Sequence, residues 1–95
     1  MPKMDIIVKQ MPSFKRSYKK LPVNQKSLLN KIIQKIIENP EIGEPKRGDL
    51  VDVYVYKFRL DHQEILLAYE WDAAQRLLLA LGVHENFYRD LKKQR

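Results

Sequence analysis

His84 and Tyr88 stand four residues apart in the segment LGVHENFYRDLKK (residues 81–93), near the end of a basic chain. An imidazole, with an unperturbed pKa of about 6.5, can take or give a proton at neutral pH. On a helix beginning at the glycine, His84 and Tyr88 share one face, while Phe87 and Leu91 turn to the core and aim the first pair. In YKFRL, Lys57 and Arg59 alternate and so share a strand face, where they can hold a phosphate, arginine as a fork and lysine as a point charge. His62 and Glu64, beside a turn, are second proton-transfer candidates, and Arg89 is a further candidate for contacting phosphate. Together these groups could take and give protons beside a nucleic-acid phosphate whose charge the cations stabilise. Each residue also has a plain role: a polar helix start for His84, packing for Tyr88, a solvated strand end for Lys57 and Arg59. Two histidines without a nearby carboxylate pattern give no metal-ligand spacing, so neither metal nor cofactor is expected.

The elements that would position these groups follow from periodicity. DIIVKQ (residues 5–10) is short and β-branched and reads as a strand. Ser13 can cap a helix whose Phe14, Tyr18 and Leu21 recur at i, i+4 and i+7, with Lys15, Arg16, Lys19 and Lys20 on its other faces. After Pro22, Leu28/Leu29, Ile32/Ile33 and Ile36/Ile37 repeat every four residues, a broad apolar stripe on a second helix that Asn39-Pro40 ends. EIGEPKRGDL (residues 41–50) reads as a loop. VDVYVYKFRL (residues 51–60) places valines on one face and aromatics on the other, and the valine face turns cationic at Lys57 and Arg59. DHQE (residues 61–64) and DAAQ (residues 72–75) reverse the chain around strands ILLAYEW and RLLLALGV. The predicted order is β-α-α-β-β-β-α: an α+β fold with an antiparallel sheet, an αα-hairpin packed on one face and a short C-terminal helix.

Ninety-five residues, 44% of them hydrophobic, suffice for a single domain over 1–95. The chain has no cysteine, which excludes thiolate chemistry and disulfides and fits a cytoplasmic setting. Neither the N-terminal apolar run nor ILLAY reaches the length of a secretion signal or a bilayer span, so no membrane partner is expected. A net charge of +6 favours polyanionic partners.

The ordered set NPEIGEPKRGDLVDVYVYKFRL, ILLAY and LLALGVHENFY resembles the RelE/ParE superfamily of bacterial type II toxins over nearly the whole chain. The resemblance implies the RelE/ParE-like fold and a cognate acidic antitoxin, bound in a toxin-antitoxin hetero-oligomer. It also implies one of two activities: ribosome-associated cleavage of mRNA, or the poisoning of DNA gyrase. Lys57 and Arg59 match the lysine pair of the nuclease branch in position and charge. The arginine common on that branch's following strand is replaced here by Leu66 or a neighbouring aliphatic. The ending Gly82-Val83-His84 through Tyr88 is similar to that of the YafQ-like nucleases, in which the histidine is catalytic. The resemblance thus implies a metal-independent mRNA endoribonuclease with His84 as general acid/base. The alternatives are a ParE-type toxin without a nuclease site, or an inactive toxin-derived binding protein.

Overall fold

In the computed structural model, which describes residues 5–83, 87–89 and 91, the chain forms β1 (Ile7–Gln10), α1 (Pro12–Lys19), α2 (Val23–Glu38), β2 (Glu44–Pro45), β3 (Tyr54–Leu60), β4 (Gln63–Trp71) and β5 (Gln75–Gly82). The strands make one sheet in the order β1-β5-β4-β3-β2. It is mixed rather than wholly antiparallel, because β1 lies parallel to β5, with Ile7 opposite Gln75 and Gln10 opposite Leu78. A parallel pair needs a long crossover, and the helical hairpin with three further strands supplies one. The predicted loop at residues 41–50 holds the fifth strand, β2, whose two residues pair with Tyr54 and Val55.

Pro12, not Ser13, opens α1; Met11 is the N-cap. Proline suits that first position because its missing N–H has no helical partner there. Phe14 is buried, Tyr18 and Leu21 pack beside it, and Lys15, Arg16, Lys19 and Lys20 are exposed. On α2 the buried residues are Leu29 and Ile36, flanked by half-buried Ile32 and Ile33, a stripe narrower than the paired pattern predicts, and Leu28 is 43% exposed. Arg76 closes the end of α2: its guanidinium donates to the carbonyls of Ile37 (3.0 Å), Asp72 (2.6 Å) and Gln75 (3.0 Å) and lies over the Trp71 ring. A cation there meets the negative end of the helix dipole.

The hairpin covers one sheet face, packing on Leu60, Ile65, Leu67, Tyr69, Leu78 and Leu81. The other face carries Val55, Leu66, Ala68, Leu79 and Ala80 under Phe87 and Leu91 of a C-terminal helical segment (residues 87–89 and 91). A register shift at Ala68/Tyr69 lets both Leu79 and Ala80 join this second cluster, since a bulge turns two successive residues toward one side.

Candidate functional site

The rows of side chains across the second face build the site. Glu44, Val55, Ala68 and Ala80 are register partners in one row, Lys57, Leu66 and Gly82 in the next, and Arg59 and Glu64 in a third. The first row is small-sided in its middle. Glu44, Lys46, Val55, Lys57 and Tyr88 thus line an open cavity of about 400 Å³, completed by Ile42 and Tyr56. Charges stand at its rim and a short aliphatic floor lies between them.

The wall formed by Glu44 and Lys46 is fixed from beneath. Tyr69 is fully buried; its hydroxyl donates to the Pro40 carbonyl (2.6 Å) and accepts from the Gly43 amide (2.9 Å). Burial pushes the phenol up to about 12. A methyl group at Gly43 would lie 2.5 Å from the Tyr69 oxygen, so the chain can approach only as glycine. β2 then pairs with β3, and the Lys46 amide donates to the Val53 carbonyl at 2.8 Å.

Lys46 Nζ binds Glu44 Oε1 at 2.8 Å and lies 5.3 Å from the centre of the Tyr88 ring. The Lys46 hydrogen bond, then its charge, hold the Glu44 carboxyl below its usual range, and Lys57 adds to this. The Glu44 hydrogen bond holds the Lys46 ammonium above its usual range, against a smaller effect of burial, and Tyr88 reinforces it. The cavity therefore offers two ammonium groups, a carboxylate that stays ionised and an aromatic wall. Such an arrangement can seat a phosphodiester and stabilise extra negative charge on it.

Of the residues singled out by sequence, Lys57 and Tyr88 meet in this cavity. Arg59 shares the face of Lys57 one row beyond, opposite Glu64, and reaches the His62 carbonyl at 3.4 Å. Glu64 lies within β4 rather than in the turn, which is confined to Asp61 and His62 because Leu60 already pairs with Gln63. His62, Glu64 and Arg89 are exposed and are not among the cavity residues. His84 lies outside the described residues. Sequence reasoning missed Glu44 and Lys46, having read GEPK as loop. The available signal was two charged residues flanking a proline, which in extended backbone fall on one side.

A family model described as "ParE-like toxin of type II bacterial toxin-antitoxin system" matches residues 8–92. Among solved structures, the chain is similar to a mutant of the E. coli toxin RelE in the free state, at 20% identity over 96% of this chain and 98% of that one, with a TM-score of 0.74. It is also similar to a chain of the intact E. coli RelBE toxin-antitoxin complex, at 20% identity over 84% of this chain and 98% of that one (TM-score 0.69). A third is the YoeB/ParE toxin from Agrobacterium tumefaciens, at 16% identity over 83% and 99% (TM-score 0.67). At these identities the likeness is one of fold. Comparison with curated protein sequences gives no match.

Proposed function

Because the chain belongs to the ParE-like toxins of type II bacterial toxin-antitoxin systems, within the RelE/ParE superfamily, we propose that it arrests translation as a ribosome-dependent mRNA endoribonuclease. The observation that carries this reading is the convergence of Lys57, Lys46, Glu44 and Tyr88 on one open cavity. In the proposed reaction the RNA 2′-hydroxyl gives up its proton as its oxygen bonds to phosphorus, and the bond to the 5′-oxygen breaks as that oxygen gains a proton. His84 is the assigned proton-transfer residue, on the motif Gly82 to Tyr88. Lys57, Lys46 and Arg59 stabilise the phosphate charge, Glu44 holds Lys46, and Tyr88 orients the RNA. In the same reading the partners are the ribosome, mRNA and an acidic antitoxin.

One observation favours a second reading, a toxin directed at DNA gyrase. The register partner of Lys57 is the buried Leu66, so the following strand adds no cation to the row. Induced expression with parallel assays of protein synthesis, mRNA ends and DNA damage separates the two. Prompt loss of translation with new mRNA 5′ ends is the expected result, whereas DNA damage with intact mRNA supports the gyrase reading. His84→Ala should keep the fold and lose on the order of 10²–10⁴-fold in cleavage rate. A fully toxic His84→Ala protein sinks the proton-transfer assignment.

A further inference from the structure

The charge of this chain is sharply segregated. Residues 12–38, the helical hairpin, carry seven cations (Lys15, Arg16, Lys19, Lys20, Lys26, Lys31 and Lys35) and one carboxylate, Glu38 at the very end of α2. The rest of the chain has eleven cations against eleven carboxylates, so the hairpin accounts for the whole excess of +6. Six of the seven are exposed, and the seventh, Lys26, lies 5.5 Å from the Tyr18 ring centre. Tyr18 also bonds Asn30 across the two helices at 2.9 Å, so α1 and α2 present their outer surfaces side by side. Among the described residues no ion pair involves any of these cations. A basic face is often merely solvated, but acidic residues ordinarily intersperse with the basic ones, and here none do over the 26 residues from Pro12 to Ile37, Glu38 coming only after the last cation.

We propose that the outer surface of the α1–α2 hairpin docks the phosphate backbone of double-helical RNA, as a second nucleic-acid site separate from the cavity. The hairpin covers the sheet face opposite the one that bears Lys57. A helix bound there leaves the cavity free to take a second, single-stranded segment. Phosphate recognition needs closely spaced cations and little apolar area, which matches this surface. Its only exposed large apolar residues are Val23 and Leu28, which lie roughly 140° apart around α2 and form no patch. An acidic protein that folds on binding would need such a patch to bury. The choice of RNA over DNA rests on the nuclease reading above; the docking role of the hairpin does not.

The test is binding rather than cleavage, so it stands apart from the fate of the cavity chemistry. Affinity for a blunt RNA duplex, for the same sequence as DNA and for purified ribosomes is measured between 50 and 200 mM salt. The proteins compared are the parent, a variant with Lys15, Arg16, Lys19 and Lys20 all changed to Gln, a Lys31→Gln/Lys35→Gln variant, and Lys57→Gln. Each lost phosphate contact reduces the salt slope by about 0.9 on a duplex. The fourfold variant should lose two or more from its slope and at least about tenfold in RNA and ribosome affinity, with an unchanged melting temperature. Lys57→Gln should shift the duplex slope by less than one. Unchanged slopes in both hairpin variants overturn the proposal. So does loss of antitoxin binding with RNA binding intact, which would make the hairpin a seat for an acidic protein. Tighter, hairpin-dependent binding to the DNA duplex would overturn the assignment to RNA.

Discussion

Under the helical hairpin the sheet presents Tyr54, Tyr56, Phe58, Tyr69 and Trp71, whereas on the opposite face the same strands present Val55, Leu66, Ala68 and Ala80, with Lys57 and Arg59 beyond. The aromatic face packs ring against ring: Tyr54 lies 5.9 Å from Tyr69 and 5.7 Å from Trp71. Large rings fill the space beneath the hairpin and make that side a packed support. Small side chains on the other side leave a hollow between the β2 edge and the C-terminal helical segment, and the charged groups gather there. The packed support and the charged cavity thus lie on opposite sides of the same sheet, through the two-residue alternation of side chains.

The strongest way to break this division is to exchange a residue on each side. Phe14→Ala, in the fully packed hairpin face, should cost ~3–5 kcal/mol in thermal or denaturant unfolding. Lys57→Ala, on an exposed position, should leave stability within ~0.5 kcal/mol. On the proposed nuclease reading, its RNA cleavage rate should fall on the order of 10²–10³-fold, as for loss of one preorganised charge donor. A Lys57→Ala protein that unfolds as readily as Phe14→Ala would show that the two faces are not separable.

Alkaline pH probes the packed side. Tyr69 ionises at about 12 in the folded chain, raised by burial, against about 10 when exposed. The unfolded chain therefore loses this proton first. The stabilisation is intact below about pH 10 and is lost as pH rises through the folded value, a change of about 2–3 kcal/mol. Comparing unfolding free energies of the parent and Tyr69→Phe from pH 8 to 12 isolates it, because the difference between the two should shrink over that window. A constant difference would mean that Tyr69 is not held neutral by burial.

Gly43 is where the two sides communicate, since the Tyr69 hydroxyl on the packed side grips the backbone that sets β2. Gly43→Ala forces a methyl group against that oxygen and should cost ~1–3 kcal/mol, as overpacking does. Because Glu44 and Lys46 follow directly, cleavage should also fall beyond the loss of folded protein. Activity per folded molecule is the deciding measurement, and no change in it would uncouple the Tyr69 tie from the cavity wall.

Much of this division is legible in the sequence. The helical periodicity, the Asn-Pro stop and the alternation from Val53 onward are local signals, and local structure follows them. The strand expected from residue 51 begins only at Tyr54, because Val51 and Asp52 form a turn with Asp52 at positive φ and leave Val51 exposed. The parallel β1–β5 pair was not legible, because no turn joins strands so far apart in sequence. Nor was the role of Arg76: its burial depends on the carbonyl of Ile37, 39 residues away. The cavity was half legible. Lys57 and Tyr88 carried recognisable spacing, but Glu44 and Lys46 enter through a strand of two residues, too short to leave a pattern.

The smallest expected effect tests how the C-terminal segment closes the chemical side. Tyr88 is half-buried, its ring edge-on to Phe87 at 5.2 Å between centres and facing Lys46 at 5.3 Å. Tyr88→Phe keeps both ring contacts and removes only the hydroxyl, one of the secondary influences that raise the Lys46 ammonium. Lys46 remains held by Glu44. Stability should therefore change by less than ~1 kcal/mol, and cleavage should fall only a few-fold, far less than in Lys57→Ala. Tyr88→Ala, which removes the wall itself, should lose distinctly more by weakening RNA binding rather than the rate at saturation. If Tyr88→Phe is as damaging as Tyr88→Ala, the hydroxyl and not the ring carries the function, and Tyr88 joins the proton-transfer groups.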